Sequence, residues 1–115
     1  MSINLNQGTD TQTPTTGKLS VASADLAITT AGKGLQVKEG SNAKMGQATL
    51  VAGTVTVSTT AVTANSRIFL TRANVTGVVG TYLAVTATTA GTSFVITAGS
   101  ASETSTINWI IFEPS

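Results

Sequence analysis

The chain contains no cysteine and no histidine. A zinc site of Cys and His ligands, a disulfide scaffold and a histidine-dependent catalytic triad are therefore all excluded. Aromatic residues make up only 4% of the sequence and charged residues 10%, with six Lys and Arg against five Asp and Glu. A net charge of +1, spread thinly, is no footprint for nucleic acid. No stretch of 18 apolar residues occurs, so no membrane-spanning helix is expected. The first six residues, Met1 to Asn6, offer neither a basic nor an apolar segment of the secretory kind. What is abundant is small: Thr, Ala, Gly and Ser supply about half of the 115 residues.

This composition predicts one domain with a thin core. Each buried methylene is worth about 0.8 kcal/mol, so a core dominated by Ala and Val gains little per residue. Extra stabilisation from a partner or from self-association is expected. Residues 1 to about 18 are polar, and Thr13-Pro14-Thr15-Thr16-Gly17 has the makeup of a turn or extended linker. We read residues 1–30 as an extended N-terminal arm and residues 31–115 as the folded domain.

Hydrophobic alternation with period two predicts strands along most of the remainder. Weak alternation begins at Leu19 and restarts at Leu26 and Ile28. Ala31 to Gly34 reads as a turn, Leu35-Gln36-Val37-Lys38 as a short strand, and Glu39 to Gly46 as a polar loop. Stronger strand signals lie at Leu50-Val51 with Gly53 to Val57, at Arg67 to Thr71, Tyr82 to Thr88, Ser93 to Thr97 and Ser105 to Glu113. The last is the strongest. It sets Ile107, Trp109 and Ile111 on one side and Asn108, Ile110 and Phe112 on the other, which predicts a central strand or one at a subunit interface. Short strands joined by Gly, Ser and Thr turns predict an all-β fold, an antiparallel β-sandwich or jelly-roll-like barrel.

Candidate chemistry is sparse. The acids Asp10, Asp25, Glu39, Glu103 and Glu113 are far apart in sequence and lack an aromatic sugar platform, so a glycosidase pair is not expected. Gly32-Lys33-Gly34 lacks the full phosphate-loop pattern and a following helix, and reads as a turn. Asn74-Val75-Thr76 matches a glycosylation triplet, which arises readily by chance in a threonine-rich chain. The expectation is a protein that is not an enzyme and carries no cofactor, metal or small-molecule ligand. Lys33, Lys38, Lys44, Arg67, Arg72 and Trp109 are the candidate contacts to a partner surface or another subunit.

Several blocks resemble small structural proteins of tailed bacteriophages: Gly32 to Leu35, Lys38 to Gly46, Ala48 to Leu50, Gly53 to Val57, Val62 to Thr71, Thr89 to Phe94 and Trp109 to Pro114. The resemblance covers residues 32 to 114. It implies a virion component of the capsid decoration (cement) or head-fibre kind, assembled in the host bacterial cytoplasm and bound as a homotrimer to the outer surface of the major capsid protein shell. The arm would then add a strand to an exposed sheet edge, and many weak sites would act together. The alternative it implies is a head- or tail-fibre tip module that adheres to the host through loops such as Asn74 to Gly80 and Gly99 to Thr104. Neither loop holds an aromatic residue.

Overall fold

A computed structural model describes residues 17–115. The chain divides after Gly34, and Leu35–Ser115 forms the packed unit. Six strands build it: β1 (Met45–Thr49), β2 (Thr54–Ser58), β3 (Arg67–Asn74), β4 (Leu83–Thr89), β5 (Ser93–Ala98) and β6 (Thr106–Phe112). They form two antiparallel three-stranded sheets, ordered β1-β6-β3 and β2-β5-β4. The fold is the expected antiparallel β-sandwich, with six strands rather than the eight of a jelly roll. Only β4 and β5 form a hairpin, through the turn in which Thr92 N–H donates to the Thr89 carbonyl at 3.0 Å. The other connections pass from one sheet to the other.

The period-two pattern decides which residues meet between the sheets. Ile107, Trp109 and Ile111 of β6 face Phe94, Ile96 and Ala98 of β5, and all six are buried. Leu50, Val57 and Val62 complete the buried apolar set. The Phe94 and Trp109 rings meet edge to face, with centroids 5.3 Å apart and planes at 77°. Such a pair contributes about 0.5–1.5 kcal/mol beyond its buried area. In a core this small, that contact is one of the main links between the two sheets.

Two sequence expectations are corrected. Leu35-Gln36-Val37-Lys38 forms no strand, and neither do the alternating residues from Leu19 to Ile28. Their apolar side chains alternate, but among the described residues no neighbouring strand takes up their backbone groups, and Leu19, Leu26, Ile28 and Leu35 are exposed. The first strand is instead Met45–Thr49, whose first two residues, Met45 and Gly46, fall in the expected polar loop. Its inward positions are Gly46 and Ala48, too small to register as a hydrophobic alternation. Residues 1–16 of the expected arm lie outside the described residues.

Candidate functional site

The sandwich has two unlike ends. Lys44, immediately before β1, and Glu113, immediately after β6, meet at one of them. Lys44 Nζ lies 2.9 Å from Glu113 Oε1 and also donates to the Ala61 carbonyl at 3.2 Å. Glu113 accepts further hydrogen bonds from the hydroxyls of Ser66 and, at 2.8 Å, Thr63. These donors, Ser66 first and Lys44 next, hold the Glu113 carboxyl down at about 2. The segment leading into the sandwich and the segment leaving it are thus tied together at this end.

The opposite end is built from three connections: 50–53, 75–82 and 99–105. Gly53 N–H donates to the Glu103 carbonyl, Val78 N–H to Ser102, Thr104 N–H to Thr76, and Gly99 N–H to Tyr82, at 3.0, 3.3, 3.0 and 2.9 Å. Gly53 and Gly77 both have positive φ, +78° and +76°. A Cβ at either would overlap a carbonyl oxygen of the facing loop, Ser100 for Gly53 and Ser102 for Gly77. Only glycine allows the three loops to interlock at this distance.

At the centre of this end sits a fully buried carboxylate. Glu103 accepts Arg72 Nε at 2.6 Å and Arg72 Nη2 at 3.1 Å, and it accepts the Gly80 N–H at 2.8 Å. Arg72 is on β3, Glu103 in the loop before β6, and Gly80 in the loop before β4. The arginine fork, followed by the Gly80 amide and the Ser105 hydroxyl, holds the Glu103 carboxyl at about 2, while the same contact raises the Arg72 pKa. Around this anchor, Val75, Val78, Val79 and Tyr82 are exposed. Tyr82 supplies the aromatic that Asn74–Gly80 and Gly99–Thr104 lack: it is the last residue of the 75–82 connection, and its carbonyl accepts the Gly99 N–H.

The six candidate contact residues separate in the structure. Lys33 and Lys38 are exposed outside the strands, and Arg67 is exposed on β3. Lys44 is engaged with Glu113, Arg72 turns inward to Glu103, and Trp109 is a core residue. Glu103 itself was not legible as a site residue. Its sequence surroundings, Ser100 to Ser105, are those of an ordinary turn, and only β3 brings it a cation. Among the described residues no group of three or more His, Cys, Asp and Glu could hold a metal ion, and no helix is long and apolar enough to cross a membrane.

The family model for the C-terminal domain of the K1 capsule-specific polysaccharide lyase matches residues 42–112. The chain belongs to this family. The match begins just before β1 and stops at the last residue of β6, so it spans the six-stranded body and leaves the arm outside. The family is phage-related and of the tail-spike kind, in agreement with the phage resemblance of the sequence. Comparison with curated proteins and with solved structures finds no match.

Proposed function

We propose that this chain is a non-catalytic attachment module of a phage virion, held at the Lys44–Glu113 end and presenting its loop end to the bacterial capsule. The observation that carries this reading is the loop end itself. Three connections are locked by glycine contacts and by the buried Arg72–Glu103 pair, and they hold Val78, Val79 and Tyr82 in solvent. Loops fixed before binding lose less entropy when they bind, and an aromatic beside apolar side chains offers a face to a sugar ring. The family match supports a capsular polysaccharide as the ligand class.

The non-catalytic part of the proposal rests on the two perturbed carboxyls. Glu103 is sequestered by Arg72, and Glu113 is occupied in tying the segments on either side of the sandwich. Both are held ionised well below neutral pH, which suits neither to donate a proton at pH 7.

The test is binding of the chain to encapsulated cells and to isogenic cells without capsule. Capsule-dependent binding that falls about tenfold or more in a Val78→Ser, Val79→Ser, Tyr82→Ala variant of unchanged stability supports the module. Equal binding to both cell types overturns it.

Capsid decoration by a trimer is a second reading, favoured by one observation. Leu19, Val21, Leu26 and Ile28 alternate in an exposed segment, as they would in a segment that docks onto another surface. The family match weighs toward attachment. Copy number per virion separates the two, with hundreds expected for a shell protein and few dozens or fewer for a spike or fibre part.

A further inference from the structure

The outer face of the β1-β6-β3 sheet carries a groove that the attachment reading does not use. Register aligns two unlike rows across its three strands. Met45, Ile110 and Phe69 form an apolar row, and Gln47, Asn108 and Thr71 form a polar one. The rows stand two residues apart along each strand, about 7 Å. Between them, Gly46, Trp109 and Leu70 line a groove of about 400 Å³, to which Glu39 also contributes. That volume falls within the roughly 300–1,000 Å³ of small-molecule sites. The opposite sheet offers only small outward residues on β2 and β5, such as Thr54, Thr56, Ser58, Ser93 and Thr97.

The two walls of the groove differ in chemistry. Phe69 is 61% exposed, and the Phe112 ring meets it edge to face with centroids 5.5 Å apart. A braced aromatic face beside polar groups suits the C–H face of a pyranose ring. On the polar wall, Gln47 Nε2 donates to Asn108 Oδ1 at 2.7 Å. This bond orients the Asn108 carboxamide and leaves its Nδ2 hydrogens to donate elsewhere. Thr71, paired with Asn108 across the β3-β6 ladder, adds a hydroxyl that both donates and accepts. Glu39 is the one charged residue lining the groove. A carboxylate there accepts from sugar hydroxyls and repels an acidic sugar.

We infer that this groove binds a neutral 2-acetamido sugar within a glycan chain. An acetamido group presents a carbonyl, an N–H and a methyl group together. Asn108 Nδ2 donates to the carbonyl, the Thr71 hydroxyl accepts from the N–H, and the methyl group and sugar ring lie against Met45, Ile110 and Phe69. Gln47 acts through Asn108, as a positioning residue. The groove is on the side of the sandwich and the proposal does not depend on capsule binding by the loop end. Where both operate, two weak saccharide contacts on one chain reinforce each other.

Trp109 is the only tryptophan and lines the groove, so its fluorescence reports occupancy. Titration of the full chain with tri-N-acetylchitotriose gives a saturable change. Cellotriose, which lacks the acetamido groups, binds about tenfold more weakly or worse. Saturation-transfer NMR on the same mixtures is an independent readout, with the strongest transfer at the acetamido methyl protons. Phe69→Ser and Asn108→Leu, both on the outer face, each weaken binding about tenfold or more at unchanged Tm. The Val78→Ser, Val79→Ser, Tyr82→Ala variant binds the trisaccharide as the wild type does. Absence of binding by both methods overturns the inference, as does equal affinity for cellotriose or indifference to Asn108→Leu. Loss of binding in the loop variant assigns the sugar to the loop end and overturns it too. Peptidoglycan and lipopolysaccharide both offer acetamido sugars. Co-sedimentation with purified sacculi and with lipopolysaccharide vesicles identifies which is bound, and retention on neither counts against the site. Capsule-dependent cell binding is a separate measurement, so failure here leaves the loop-end reading standing.

Discussion

Arg72 and Glu103 form a two-pronged ion pair, 2.6 and 3.1 Å long, around a carboxylate with no exposed surface, in a chain that otherwise has few charges. Burying a carboxylate is costly unless its lone pairs are taken up, and here Gly80 N–H takes up a further position. The pair connects a strand to two loops, so its main effect is to fix where the loops lie. Glu103→Gln leaves Arg72 without its charge partner and is expected to lower Tm by on the order of 10 °C. Arg72→Met with Glu103→Leu recovers much of that loss, because it removes both charges together. It does not restore the acceptor for Gly80, so amide exchange across residues 77–82 stays fast in the double variant. Recovery of slow exchange there would show that the pair does not organise the loops.

Acid is expected to act on the same two carboxyls that hold the ends of the sandwich. Glu103 and Glu113 titrate at about 2 when folded, against an ordinary 4.5. Between those values the unfolded chain binds more protons than the folded one, so their stabilisation is complete above about 4.5 and is lost as pH falls toward 2. Melting curves are expected to keep a nearly constant Tm from pH 7 to about 5 and to decline below that. Glu103→Gln flattens the decline. A variant with the same slope as wild type would remove Glu103 from the account.

Gly77→Ala tests how tightly the loops are interlocked. The residue has φ +76°, and its added Cβ would meet the Ser102 carbonyl oxygen, part of the backbone. The left-handed conformation alone costs a side chain about 1–2 kcal/mol, and the overlap adds to it. The expected result is a fall in stability of roughly 2 kcal/mol or more, seen in denaturant melts, with weakened capsule binding. By contrast Gly91, also at positive φ (+68°), has nothing within 4 Å of an added Cβ, so Gly91→Ala carries only the conformational part.

Where the sequence was legible, alternation was backed by side chains of unequal size. β6 could be read down to its faces because Ile107, Trp109 and Ile111 are bulky and Thr106 and Asn108 are polar. Its place between β1 and β3 follows from the apolar Ile110 and Phe112 on its other side. β1 could not be read, since Gly46 and Ala48 carry almost no hydrophobic signal, and its position comes from pairing with β6. The converse holds at Leu35 to Lys38, where the alternation is clean but no strand partner lies among the described residues. The loop end was the least legible part. Its three connections follow one another at intervals of about 20 residues, and Arg72 and Glu103 are 31 apart, so only the sandwich topology brings them together.

A last expectation concerns the inner side of Gly46, which is paired with Trp109 across the β1-β6 ladder. A Cβ at Gly46 would sit 2.8 Å from the Trp109 ring carbon Cζ2, and the ring is held on its other side by Phe94. Gly46→Ala therefore overpacks a rigid spot and is expected to cost about 1–3 kcal/mol. The Trp109 indole N–H is buried with no hydrogen-bond partner, a defect that Trp109→Phe removes while also shortening the ring. Trp109→Phe should thus cost less than the roughly 3–5 kcal/mol of a Trp→Ala truncation. In the double variant the new methyl group occupies space the indole has vacated, so the two costs should not add. A coupling of about 1 kcal/mol or more in a double-mutant cycle is expected. Strict additivity would mean that the glycine is not there to make room for the indole.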